Sequence, residues 1–385
     1  MTRAGRRVLI VGGGIGGLTL ATALGQRGIR ADLVEIEAKP EVGGVGILQY
    51  GNALRALRGL GLFEACLETG FQTDTYRYFD AAGEQLARLQ LLRIADPDRP
   101  AINMLPRPAL QRILTDGAVQ AGAQLRYGLG VAKIAHSATH VAVNFTDGSH
   151  ADYDLIVGAD GIRSTMRGLI YGPIAPVYTG QGCWRVTLAR PPDLDYQCMY
   201  MGIGVKAGLI PLTEKTMYLL VVTNEPGNPR MTADRLHEML RKRLAGFSGR
   251  IGAIRDSISD TDAVLYVPIE EVILPPPWHL GRVLLIGDAA HASSPHIAQG
   301  AAMAIEDAVV LAELTAGEQP LPEILESFMQ RRYERCKFVQ DLSRQVGEDG
   351  AESDPQKCAE RDRRMKEVFA VPKPRPHELT LAGPI

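Results

Sequence analysis

The first regular pattern along the chain is a short, continuous apolar run, RVLIV at 7–11, rich in β-branched residues. Such a run marks a strand buried on both faces, as in a parallel sheet. The same signature recurs at 31–36 (ADLVEI), at 154–158 (DLIVG) and at 282–288 (RVLLIGD). Between these runs the period lengthens to that of a helix. Residues 18–27 (LTLATALGQR) predict a helix ending near Gly28, and 301–314 (AAMAIEDAVVLAEL) predict another. Residues 231–247 alternate apolar and charged positions at helical spacing, and 320–347 read as one long, mostly exposed helix. CWRVTLA (183–189) and TMYLLVVT (216–223) read as strands, with NEPGNP (224–229) as a turn. PPPW (275–278) punctuates the chain, and the proline-rich 371–385 predict an extended or frayed tail. No internal repeat is present.

The first apolar run leads into Gly12-Gly13-Gly14-Ile15-Gly16-Gly17, which fits G-x-G-x-x-G at 12, 14 and 17. Gly12 permits the tight turn, Gly14 lets a pyrophosphate approach the backbone, and Gly17 lets helix and strand pack closely. The helix start offers free N–H groups and the positive end of its dipole to phosphate. Glu35 ends the second strand and can accept bonds from ribose hydroxyls. Strand, turn, helix, strand and acid stand in register, which predicts a dinucleotide site. The motif alone does not separate NAD from FAD. The later runs do more. Each places an aspartate, Asp160 or Asp288, just past the carboxyl end of a buried strand, where open α/β sheets bind ligands.

The stretch GDAAHASSPHIAQG (287–300) crowds Asp288, His291, Ser293, Ser294 and His296 together. A metal site is disfavoured, because the histidines are five apart across Pro295 with no cysteine or second acid in register. A hydrolase would need a G-x-S-x-G elbow, which is absent. The stretch instead runs from a buried strand to a glycine at a helix start, and no metal is expected. The two histidines stay unexplained at this level.

Composition narrows the class. The 385 residues are enough for more than one domain. With 42 basic and 44 acidic residues, the net charge of -2 gives no electrostatic case for nucleic acid. Five scattered cysteines without a CxxC argue for a reducing compartment. Arg3, Arg6 and Arg7 before an uncharged run mimic a signal peptide, but five of positions 12–17 are glycine. A cytoplasmic protein without a membrane span, monomer or homodimer, is the expectation.

Taken together, GGGIGG with Glu35, VGADGIRSTMR (157–167) and LIGDAAHASSPHIAQGAAMAIEDA (285–308) resemble the class A flavin-dependent monooxygenases, the aromatic-ring hydroxylases. The last motif is close to the form in salicylate- and 6-hydroxynicotinate-hydroxylase-like members. MLPRPALQRIL (104–114) looks like the family's arginine-containing helix start, and residues 44–62 look like the segment passing the flavin ring. The resemblance implies an α/β fold: a Rossmann-like FAD-binding domain of the GR2, para-hydroxybenzoate-hydroxylase-like type, with an inserted, mostly antiparallel β-sheet substrate domain. It divides the chain into an FAD domain (1–72, 102–172, 275–347), a substrate domain (73–101, 173–274) and a C-terminal tail (348–385).

The resemblance also implies roles. FAD's adenine half lies on Gly12, Gly14, Ile15, Gly16 and Gly17 with Glu35 on the ribose, and Val131 belongs to the same cofactor set. Gly46 and Ile47 pass the ring, and Arg107 and Asp288 hold the pyrophosphate and ribityl region. Pro295, Gln299, Gly300, Ala301 and Ala302 line the ring, with Pro295 and Gly300 also shaping catalysis through the backbone. The helix start there stabilises the anionic reduced flavin. Asp160 and Arg167 are associated with dinucleotide contacts. NADH or NADPH is the expected donor, and O2 the oxidant, through a flavin C4a-hydroperoxide that hydroxylates a small aromatic or heteroaromatic substrate. Candidates facing that substrate are Cys183, Arg185, Tyr200 and Tyr218 from the sheet, and Leu48, Gln49 and Tyr50 beside the ring; of these Arg185, Tyr218 and Gln49 are the catalytic candidates. Leu48 stands where hydroxynicotinate-like relatives are expected to carry a histidine. Trp184 and Tyr178 read as packing residues. The alternatives are epoxidation or hydroxylation of a larger polyketide- or quinolone-like compound, an NAD-only dehydrogenase, and a non-catalytic flavin-binding module.

Overall fold

The computed structural model describes residues 6–39, 44–371 and 374–385. Arg3 and residues 372–373 of the tail lie outside them. The repeated apolar runs assemble as buried parallel strands. Arg7–Val11 lies between Leu155–Gly158 and Arg30–Glu35, with Val8 beside both Leu155 and Ala31. Gln124–Tyr127 and Val283–Leu285 extend this sheet on either side, and the two-residue strand His279–Leu280 closes one edge antiparallel. Its five parallel strands end on one rim, and the glycine turn, Asp160 and Asp288 all follow strand ends there.

The helix after the turn is Ile15–Gly25, buried along nearly its whole length. It packs on Gly300–Thr315 with Gly16 against Ala304, where an added Cβ would stand 3.4 Å from Ala304 Cβ, a close but ordinary contact. Gly17 is tighter still, since a Cβ would fall 1.9 Å from the Gly12 carbonyl oxygen.

A second sheet of seven strands runs Leu265–Glu271, Val177–Ala189, Thr216–Asn224, Val205–Pro211, Gln197–Met201, Thr75–Asp80, Gln85–Gln90. It is antiparallel except where Gln197–Met201 meets Thr75–Asp80. One face packs on Leu236–Arg243 and Gly249–Ser257 through Trp184, Leu219, Leu240 and Ile251. The other face, with Tyr76, Met199, Ile210 and Tyr218, meets Leu48 and Tyr50 of Gly46–Tyr50. That strand pairs with Ile102–Pro106 and lies between the two large sheets.

Two expectations for the C-terminal part are corrected. Leu321–Ala351 is one long helix, but it buries a continuous face including Phe328, Arg332, Cys336 and Ser343. The proline-rich 371–385 are not extended throughout, because Pro376–Ala382 is a helix, and before it the C-terminal part forms a further helix, Pro355–Val368, capped by the Asp354 side chain. One of the prolines that suggested fraying instead starts the last helix, because proline suits the first turn. No helix among the described residues is long and apolar enough to cross a membrane.

Candidate active site

A cavity of about 500 Å3 opens between the rim of the parallel sheet and the seven-stranded sheet. Its first wall is the glycine turn. Gly12 takes φ +112°, a conformation that only glycine adopts easily, and the turn is tied down by Gln111 Nε2, which donates to the Gly13 carbonyl at 2.6 Å. A Cβ on Gly14 would meet nothing within 4 Å, so its backbone is open to a ligand. The helices Ile15–Gly25 and Gly300–Thr315 both begin at the cavity with no side chain capping their first N–H groups. Two uncapped helix starts and a bare glycine backbone fit the phosphates of a dinucleotide.

Asp288 and Arg107 add the charged groups. Asp288 opens onto the cavity but is hemmed in by protein, and this desolvation raises its pKa, with His291 and Arg107 acting the other way. Burial lowers the Arg107 pKa, Asp288 counters that, and the like charge of Arg185 adds to it. The loop between Asp288 and the second helix reverses sharply. Pro295–Ile297 form a single 3-10 turn, and Ala298 takes φ +53°, a left-handed conformation uncommon for alanine.

The unexplained histidines acquire separate environments. His291 Nε2 pairs with Asp307 Oδ2 at 2.7 Å, and Asp307 Oδ1 accepts from Arg332 Nε at 2.7 Å. His291, Asp307 and Cys336 could together approach a metal, but the Arg332 guanidinium already supplies the cation there. His296 instead separates the main cavity from a second one of about 360 Å3 lined by Tyr178, Gln181, Glu271 and Arg344. Burial, helped by Lys206, lowers its pKa to about 2, so its imidazole is neutral.

Not every sequence candidate reaches the cavity. Ile15, Gly46, Ile47, Leu48, Tyr50, Arg107, Arg185, Tyr218, Asp288, Pro295, Gly300 and Ala301 do. Gln49 does not: strand alternation turns it inward, 1% exposed, where its Oε1 accepts from Asn103 Nδ2 at 2.8 Å. Cys183 packs on Val222 and Ile269, and Tyr200 stacks on Phe79 in the opposite layer. Gln299 points inward too, accepting from Asn52 Nδ2 at 3.0 Å, and Ala302 is buried between helices. Asp160 braces its own turn, accepting from Ser164 Oγ and from Met166 N at 2.9 Å. Arg167 is corrected most clearly: it is 2% exposed and its donors are taken up by the carbonyls of Ile162, Ile174 and Ala289. Glu35 sits behind the glycine turn, accepting from Gly13 N at 2.7 Å. Val131 is buried in a separate three-stranded sheet.

Other lining residues were missed. Tyr76, Tyr78, Gln197 and Met199 come from strands that sequence reading did not single out, and Phe369, Arg375 and His377 come from the supposed tail. The far wall is therefore a chamber of tyrosines and aliphatic residues. Tyr50 Oη donates to Gln197 Oε1 at 3.4 Å. Tyr218 is held protonated by burial, which raises its pKa. Arg185 has no hydrogen-bond or ion-pair partner among the described residues, so its guanidinium is free toward the cavity.

A family model described as an FAD binding domain matches residues 6–343. YetM of Bacillus subtilis strain 168, provisionally named an FAD-dependent monooxygenase, is 34% identical over 90% of this chain and 96% of its own length. The 2-heptyl-3-hydroxy-4(1H)-quinolone synthase of Pseudomonas aeruginosa PAO1 is 31% identical over 98% of both chains. Among solved structures, Klebsiella pneumoniae HpxO complexed with FAD and uric acid superposes with a TM-score of 0.86. It is 25% identical, and the match covers 95% of this chain and 94% of that one.

Proposed function

The chain belongs to the FAD-binding-domain family and is an FAD-dependent monooxygenase, and on that premise we propose that it uses NADH or NADPH and O2 to hydroxylate a small aromatic or heteroaromatic compound. One observation carries this reading. A single cavity joins the open glycine turn and two uncapped helix starts to a chamber lined by tyrosines and aliphatic residues.

FAD, when bound, supplies the redox chemistry: it accepts hydride and activates oxygen. The protein's own residues do the rest. The Gly12–Gly17 backbone and the Ile15–Gly25 helix start bind the phosphates, with Arg107 neutralising charge and Asp288 accepting from sugar-chain hydroxyls. The uncapped start of Gly300–Thr315 would favour a negatively charged group of the cofactor held beside it. Leu48, Ile210 and Leu220 exclude water from the chamber, which protects the reaction from wasteful release of hydrogen peroxide. Arg185 and the Tyr218 hydroxyl orient the substrate. Five free, buried cysteines support a reducing, cytoplasmic setting.

The test is a screen of hydroxylated benzoates, pyridines, purines and quinolones with the FAD-loaded protein. NAD(P)H oxidation and oxygen uptake should rise together with one compound, and the product should gain one oxygen atom. Failure of every aromatic compound to stimulate oxidation would remove this reading.

A further inference from the structure

The second cavity shares a wall with the main one, since Ser294 and His296 line both spaces. Ser294 is fixed. Its N–H donates to Glu271 Oε1 at 3.3 Å, and its hydroxyl donates to Ser343 Oγ at 3.0 Å. His296 is held differently. Its Nδ1 is buried with no hydrogen-bond partner among the described residues. Burial, helped by Lys206, keeps the ring neutral, so no ion pair ties it either. Packing alone keeps this imidazole in place. A buried nitrogen without a partner is costly, and turning the ring toward solvent relieves that cost.

The frame around the ring is firm. A Cβ on Gly347 would fall 2.4 Å from His296 Nε2, so the ring occupies the notch that this glycine leaves in Leu321–Ala351. Glycine is otherwise a poor residue inside a helix. Gln181 Nε2 donates to the Gly347 carbonyl at 3.0 Å, and Lys206 Nζ donates to the Val346 carbonyl at 3.3 Å. These bonds clamp the helix turn to the seven-stranded sheet, which leaves the imidazole as the movable part of the wall.

The wall stands between solvent and the cofactor cradle. Val177 and Ile273 are exposed residues of the second cavity, which therefore opens outward. The chain neighbours of His296 in the main cavity are Pro295, Ala298 and Gly300, which lead into the helix start of the cradle rather than into the tyrosine chamber. A monooxygenase must admit O2 to its flavin while a substrate fills that chamber.

We propose that the second cavity is a side entrance to the cofactor for a small uncharged molecule, O2, and that the His296 ring is its door. The ring turns aside to let O2 pass and returns to the Gly347 notch. The substrate keeps the chamber to itself. This inference rests on the FAD-dependent monooxygenase identity and stands whichever compound is hydroxylated.

The FAD-loaded enzyme is reduced anaerobically by dithionite titration and mixed with O2 without substrate, following the return of flavin absorbance. Removing a door that is mostly shut raises the rate by the inverse of its open fraction, so His296→Ala should speed reoxidation about threefold or more. Adding Val177→Trp and Ile273→Trp, which narrow the mouth of the second cavity, should bring the rate back to wild type or below. Acrylamide quenching of the oxidised flavin's fluorescence follows the same path without turnover, and its slope should rise and fall with the same substitutions. FAD content and melting temperature report whether each variant is folded. If His296→Ala is not, the two mouth substitutions decide in the wild-type background, since exposed positions tolerate change. There they must slow reoxidation about twofold or more. An unchanged rate or slope in folded His296→Ala overturns the proposal. So does a rise that the mouth substitutions leave in place, which would assign His296 an effect on the flavin itself. If only the mouth variant folds, its failure to slow reoxidation overturns the proposal too.

Discussion

His291 Nε2 lies 2.7 Å from Asp307 Oδ2, and the same oxygen accepts from Gly287 N at 2.9 Å. One carboxylate on the helix Gly300–Thr315 thus pins both ends of the turn that presents Asp288 to the cavity. Arg332, fully buried on the long C-terminal helix, completes the charge balance by donating to the other oxygen. Removing the carboxylate leaves Arg332 and His291 as under-compensated buried cations. Asp307→Ala should therefore destabilise the protein by about 3–5 kcal/mol, the usual cost of breaking a buried pair from one side. Urea unfolding measures this, and a loss below about 1 kcal/mol would show that the network is dispensable.

The same pair sets a pH dependence. Burial alone would lower the His291 pKa, but Cys336 and Asp307 more than offset it, and the result lies well above the usual histidine value. Asp307 is shifted the opposite way: burial opposes ionisation, but His291 and Arg332 outweigh it and hold the carboxyl below its usual range. A raised histidine means that the folded state keeps a proton which the unfolded chain releases above about 6.5. Its contribution is full below that pH and is lost as pH rises toward the folded value. Asp307 contributes above its unfolded pKa, near 4, and loses its contribution only in acid. Unfolding free energy should fall on the alkaline side of about pH 6.5, and His291→Asn should flatten that slope. An unchanged slope in the variant would assign the pH dependence to other groups.

The glycines of the first turn should separate folding from binding. A Cβ at position 17 collides with the Gly12 carbonyl, whereas one at position 14 meets only open space. Gly17→Ala should fail to fold or lose several kcal/mol, because backbone must move to admit it. Gly14→Ala should fold with a melting temperature close to wild type and bind FAD weakly, since the methyl stands where the phosphates approach. If both variants bound FAD normally, the turn would not be the phosphate site.

Gln49 provides a negative control inside the same strand as Leu48 and Tyr50. Its amide donates to Cys66 Sγ at 3.5 Å and accepts from Asn103, away from the cavity. Gln49→Ala should cost about 1–3 kcal/mol through the unsatisfied Asn103 donor. It should leave kcat and KM unchanged, and a change in kcat alone would mean that the strand turns its other face to the substrate.

The cradle was legible in the sequence because its parts are local. A buried strand, a glycine turn and a helix start are neighbours in the chain, and the turn, Asp288 and Gly300 come together at one cavity, which Arg107, suggested by the family resemblance, also reaches. The parity of side chains along a strand is also local, but which parity faces inward depends on the partner sheet. That is why Gln49 and Tyr200 were misplaced while Arg185 and Tyr218 were not. Asp160 looked functional because it follows a strand end, and Arg167 because it belongs to the motif that resembles the family. Here a serine cap and three buried carbonyls claim them first. Arg375 and His377 had no local signal at all. Their place in the lining comes from a fold-back of the C-terminal segment that sets Arg375 over Tyr50 and Tyr76, contacts across about 300 positions of chain.

The central claim, that this cavity cradles FAD through Asp288 and the glycine turn, is tested most directly by the FAD affinity of Asp288→Ala. Flavin fluorescence titration of the apoprotein should show about 10- to 100-fold weaker binding than wild type, with the melting temperature of the apoprotein retained. An Asp288→Ala variant that holds FAD as tightly as wild type would contradict the account.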